Sequence, residues 1–221
     1  MRSVLPVLVP VAIALASPAR ADSTTPPASL LSGDPAHGNA LDPVFGFLKL
    51  ERLSCKFSEE KHIALLDRPL QSTGVIYFDR NQGIARTTLT PKHEQVVLTK
   101  TSLRIRTDTH TEDVPLDKTK DLKAFALIFP TLLRGDRPEL ERAFDLGLYG
   151  SDKGWWALTF VPKSDSLRKL VKRVVVVGRQ SEVFSIQIDE ASGDTTQTRL
   201  TDILKNGAVP DAEIATAFGA T

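Results

Sequence analysis

The side chains that could do chemistry in this sequence are few and scattered. Four histidines, His37, His62, His93 and His110, lack the spacing that brings two imidazoles to one metal ion, so no metal site is expected. The single cysteine, Cys55, has only Lys56 beside it to favour a thiolate and reads as a small core residue. Glu59-Glu60 and Asp189-Glu190 are adjacent pairs within strand-like stretches. Their carboxyls therefore point to opposite faces and cannot flank one bond. No Gly-x-Ser-x-Gly elbow, phosphate loop or dinucleotide fingerprint occurs. The expectation is a protein that is not an enzyme and carries no cofactor. Trp155 and Trp156 must diverge on a strand, which makes at least one of them a packing residue.

With 28 Lys+Arg against 27 Asp+Glu, the chain has no surplus of positive charge for a row of phosphates, so nucleic acid is not an expected partner. A hydrophobic share of 41% is enough for a packed core and excludes wholesale disorder. Core packing must suffice, because one cysteine cannot form an intramolecular disulfide.

Residues 1–21 read as an export signal. Arg2 supplies the positive start, Val4 to Ala16 is mostly apolar, and Ala19-Arg20-Ala21 is a small-x-small cleavage site. The apolar run falls short of the about 20 residues a membrane-spanning helix needs, and Pro6 and Pro10 interrupt it. These features predict a soluble, monomeric, exported protein. Residues 22–40, rich in Ser, Thr, Pro, Gly and Ala, read as a flexible leader, and residues 41–221 as a single domain.

The elements that must position any site are mainly strands. A short amphipathic helix is expected from Asp42 to Leu53. Strands are expected at Ser54–Leu66, Gln71–Asp79, Ile84–Leu89, Gln95–Lys100, Ser102–Asp108 and His110–Leu116. Leu122, Phe125, Ala126, Phe129, Leu132 and Leu133 form a helical stripe closed by Gly135, followed by a second short helix over Pro138–Phe144. Strands resume at Trp155–Val161, Leu170–Val177, Val183–Asp189 and Thr195–Leu204. The fold class is mainly β with helices (α+β): about ten antiparallel strands in one curved sheet, since so large a twisted sheet must curl. Trp156, Leu158 and Phe160 share one strand face and are expected to line the interior, with Phe57, Tyr77, Ile105, Phe125, Phe129 and Leu132 around them.

A collinear series of motifs resembles the LolA-type outer-membrane lipoprotein carriers. It comprises Phe57-x-Glu59-x-Lys61, the run from Pro69 through Gly74-Val75-Ile76-Tyr77-Phe78-Asp79-Arg80, and Thr87-Thr88-Leu89-Thr90-Pro91. Gly154-Trp155-Trp156-Ala157-Leu158-Thr159, Val161-Pro162-Lys163, Val177-Gly178-Arg179 and the run from Asn206 to Ala212 follow in order, so the likeness spans nearly all of residues 41–218. The resemblance implies an unclosed β-barrel capped by a helical lid, with an apolar cavity for the acyl chains of a lipidated cargo. It further implies passage between a releasing complex at the inner membrane and an acceptor at the outer membrane, with the protein in the periplasm. Arg80 takes the position of the arginine that bonds the lid in that family and helps gate the cavity. Arg80 is not followed by Pro here, and Arg86 stands where the carriers commonly have Trp. The cargo is thus left open between a lipoprotein and another lipidated, glycolipid-like amphiphile. Two other functions remain open from the residues themselves: an exported β-protein that binds other proteins through its sheet edges, and a small periplasmic hydrolase or isomerase.

Overall fold

The computed structural model describes residues 25–116, 123, 125–150 and 154–219. The expected export signal and Leu122 of the helical stripe lie outside the described residues.

A run of short alternating stretches gives six strands in the first half: β1 (Arg52–His62), β2 (Leu70–Asp79), β3 (Gly83–Thr90), β4 (Glu94–Leu98), β5 (Ser102–Thr107) and β6 (Thr111–Pro115). Five more follow the helical insertion: β7 (Phe144–Gly150), β8 (Trp155–Pro162), β9 (Val171–Arg179), β10 (Glu182–Glu190) and β11 (Thr195–Lys205). Each group is a meander, and antiparallel pairing of β1 with β11 joins them in the order β6-β5-β4-β3-β2-β1-β11-β10-β9-β8-β7. The sheet is curved and not closed, as its α+β, mainly β pattern predicts.

Two differences from the expected elements have local causes. The first helix, α1 (Asp42–Phe47), stops short of Leu53 because Leu53, Cys55 and Phe57 alternate into the core as part of β1, which pairs on both sides. β7 is an additional strand. Its Phe144, Leu146 and Leu148 alternate toward the core, and Gly147 gives Pro35 room to approach.

Helices α1 and α2 (Ile128–Leu133) lie against the concave face. Val44, Phe45 and Leu48 of α1 and Ile128, Leu132 and Leu133 of α2 belong to the same buried cluster as the inward residues of β1, β2, β7, β8 and β9. In α3 (Arg137–Ala143), the Glu139 amide donates to the Asp136 side chain at 3.3 Å, and Pro138 occupies the first turn. The four-residue α4 (Asp165–Arg168) starts where Leu167 N–H donates to the Ser164 hydroxyl. Finally, α5 (Asp211–Phe218) packs Ile214 and Ala217 toward the convex side of β2 and β3.

Residues 22–40 were expected to be a flexible leader; residues 25–40 are mostly exposed, and two points in them meet the sheet. Leu30 is buried with Trp155, Ala157 and Val175 on the convex side of β8 and β9. Ala36 forms a two-bond antiparallel bridge with Leu148, and the His37 Nδ1–H donates to the Leu146 carbonyl at 2.6 Å. The reason is supply and demand: β8 is apolar on both faces, and this stretch holds the leucine that covers the second one.

Candidate functional site

Strand register defines the concave face. From β7 to β11, Leu148, Leu158, Val176, Ile186 and Thr198 stand opposite one another, and Leu146, Phe160, Val174, Ile188 and Thr196 form the next row. Leu158 and Phe160 are 0% exposed and Trp156 is buried beside them. All three share one cluster with fully buried Leu132 and with the partly buried Phe125 and Phe129 packed against it. Phe144 meets Phe160 edge to face, centroids 6.1 Å apart. The Trp156 indole N–H donates to the Gln180 carbonyl at 2.9 Å, so its polar handle is satisfied.

Two aromatic rings are seated by glycine. A Cβ on Gly74 would come within 2.7 Å of the Phe57 ring, and one on Gly178 within 2.1 Å of the Trp156 indole. Both rings therefore lie flat across the neighbouring strand, where any side chain would lift them.

Of the residues expected to surround Trp156, Leu158 and Phe160, four pack in the same cluster: Phe57, Phe125, Phe129 and Leu132. Tyr77 does not. It alternates with buried Ile76 and Phe78 and so faces the convex side, where it bonds Glu213 of α5; burial, then that bond, pushes its phenol above the usual range. Ile105 is on the concave face but lies far along its row, half-buried and outside the cluster.

Arg80 stands just after β2 and ties three segments together. Its Nε–H donates to the Leu50 carbonyl at 3.1 Å and lies 2.8 Å from a Glu51 carboxylate oxygen, and its second guanidinium nitrogen donates to the Arg134 carbonyl at 3.3 Å. Arg134 is the residue after α2, so the anchor is at the end of that helix. Leu50 N–H also donates to the Leu133 carbonyl, and the Arg134 side chain bonds the Thr131 hydroxyl. Burial, the largest influence, pushes the Arg134 guanidinium below the usual arginine range; Asp136 opposes this and Arg80 adds to it.

Sequence reasoning missed a polar cluster on the concave face. Arg86 lies over the Phe57 ring, 4.3 Å from its centroid, and donates to Glu59 at 2.8 Å. Glu59 also accepts from Thr198 at 2.7 Å and from Ser72 at 3.4 Å. The signal was present in the alternation Phe57, Glu59 and Ile84, Arg86, which puts charge on the apolar face. Among the described residues no group of His, Cys, Asp and Glu is arranged to hold a metal ion. Cys55 is buried, and burial pushes its thiol up to about 12.

The chain matches the family described as outer membrane lipoprotein carrier protein LolA-like over residues 39–220. It belongs to that family. Members of this LolA-like family are periplasmic carrier and binding proteins rather than enzymes. Among curated proteins no significant match was found. Similar solved structures include a LolA superfamily protein from Nitrosomonas europaea, at 10% identity and TM-score 0.44, covering 80% of this chain and 97% of that one. A DUF1329 family protein from Desulfovibrio piger has the same identity and TM-score and covers 80% and 99%. The MucA/MucB complex of Pseudomonas aeruginosa is similar at 12% identity and TM-score 0.42, covering 79% of this chain and 58% of that chain. No described helix is long and apolar enough to cross a membrane.

Proposed function

We propose that this protein is a periplasmic carrier that takes the acyl chains of a lipoprotein or other lipidated amphiphile onto its concave face and shuttles the cargo from inner to outer membrane. The observation that carries this reading is the plug: an apolar helix, α2, fills an apolar concave sheet face and is pinned at its end by Arg80. Transferring an alkyl chain of ~15 carbons from water yields on the order of 12 kcal/mol before ordering costs. Uncovering Ile128, Phe129, Leu132 and Leu133 costs roughly 6–12 kcal/mol by the same measure. Plug and cargo are thus near-equal competitors for one surface, which is what reversible loading requires. The arginine makes the closed form a defined state, and the export signal at residues 1–21 supports the periplasmic setting.

Native mass spectrometry of the purified protein, followed by titration with a triacylated lipopeptide, tests the proposal. Wild type should bind the lipopeptide and Leu158→Asp should not, because a desolvated carboxylate opposes hydrocarbon. A folded Leu158→Asp variant with unchanged lipopeptide affinity would remove the concave face from the function.

A further inference from the structure

A second site lies outside the plug. Between the lid segment, α3 and the stretch after β8 is a cavity of about 420 Å³. Its floor is hydrocarbon: Leu140 of α3, Leu167 of α4, Phe144 at the start of β7 and Leu127 from the lid. Its volume is at the small end of ligand pockets, which suits one alkyl chain and excludes a bundle of several. Phe144 is also the ring that meets Phe160 edge to face, so this floor abuts the closed interior.

The charged residues around the mouth come from three separate elements. Lys123 lies ahead of α2, Arg142 is in α3 and Lys163 is in the stretch after β8, and one acid, Glu139, joins them. Arg142 already bonds Glu139. Lys163 Nζ donates to the Glu141 carbonyl at 2.6 Å and stands 3.4 Å from the Asp145 carboxylate. These ion pairs are solvent-exposed, so they are weak and readily exchanged for an incoming anion. Hydrocarbon below and cationic side chains above complement an amphiphile whose head is negative. A cationic head would meet like charge, and a neutral one would leave the ammonium groups unused.

We propose that this cavity is a preformed docking site for a single alkyl chain ending in an anionic group, the step at which such an amphiphile meets the closed protein. The proposal rests on the carrier reading and adds a ligand class and a place to it. The test uses the full chain, dansyl-aminoundecanoic acid as the probe and its methyl ester as the neutral control. Wild type should bind the acid more tightly than the ester. The double variant Lys123→Glu/Lys163→Glu should weaken the acid by about tenfold or more while leaving the ester unchanged. Ala143→Phe, which fills the floor, should expel both. Equal binding of acid and ester, an unchanged acid affinity in the double variant, or retention of both probes by Ala143→Phe would overturn the site. A protein that binds the triacylated lipopeptide but not the probe refutes this cavity and leaves the carrier reading standing. Probe binding that survives in Leu158→Asp, while lipopeptide binding is lost, supports two distinct sites.

Discussion

One sheet carries two differently covered halves. The line Cys55, Ile76, Arg86, Val96, Ile105, Glu112 crosses from β1 to β6 in register on the concave face. Cys55 and Ile76 are buried, Arg86, Val96 and Ile105 are half-buried, and Glu112 is exposed. The line Leu148, Leu158, Val176, Ile186, Thr198 crosses from β7 to β11 and contains no exposed residue. Strand geometry is the same in both; helical cover differs. Helices α1 and α2 can reach only part of so wide a sheet, and composition follows the cover. Trp155-Trp156-Ala157-Leu158-Thr159-Phe160 and Val174-Val175-Val176 are buried on both faces and read as continuous apolar runs, whereas β5 and β6 intersperse charge. The lesson is that β7–β11 form the closely packed part of the sheet and β3–β6 its thinly covered margin.

The contrast should be largest for truncations in the two lines. Leu158→Ala should cost about 2–5 kcal/mol in urea unfolding and Ile105→Ala about 1 kcal/mol or less. Comparable losses would mean that the two halves are equally packed. Next in size is the anchor at the seam. Arg80→Leu removes bonds to Leu50 and Arg134 and the ion pair with Glu51, and should cost about 1–3 kcal/mol. Its distinguishing sign is faster amide exchange in residues 128–134 with unchanged exchange in β8 and β9; uniform protection would reduce Arg80 to a turn residue.

The smallest effect concerns Cys55, at the buried end of the first line. Burial pushes its folded thiol up to about 12 from an ordinary value of 9.0. Below pH 9 both folded and unfolded states keep the proton, so pH has no effect through this group. Above that, the unfolded state releases its proton first, and stability falls as pH rises toward 12. At pH 10 the difference amounts to about 1 kcal/mol, which Cys55→Ala should abolish. Identical alkaline slopes for the two proteins would place the thiol in water rather than in the core.

Much of this architecture was readable in advance, and the gaps have physical causes. Alternation located β8 and the phase of Trp156, Leu158 and Phe160, because that strand has only one arrangement that buries three large side chains together. Tyr77 was misplaced for the complementary reason. Tyr77 and Phe78 are adjacent aromatics, and alternation alone does not say which faces inward; the decision came from α5, far away in sequence, which covers Tyr77. β7 escaped notice because Gly147 and Gly150 dilute its apolar signal and Phe144 fitted equally well as a helix end. Leu30 was taken for leader because two adjacent leucines, Leu30 and Leu31, in a Ser-, Pro- and Gly-rich stretch show no period. The plug stripe and Arg80 were legible as residues, but the bond to Arg134 depends on where α2 stops. The cavity beside α3 was invisible, since its lining comes from segments that touch only after folding.

The bridge between Ala36 and Leu148 has one more consequence. A sheet with two open edges is at risk of polymerising where a bare strand lets a second copy add on. Here the middle of the β7 edge is bridged at Leu148 by the protein's own Ala36, and the β6 edge displays exposed Glu112 and Pro115, a residue without an amide hydrogen, while Asp113 is paired with Arg104. One rim is interrupted by a bridge and the other by a proline. Both edges of the sheet are thus less suited as templates for a second copy than an unbroken bare strand would be.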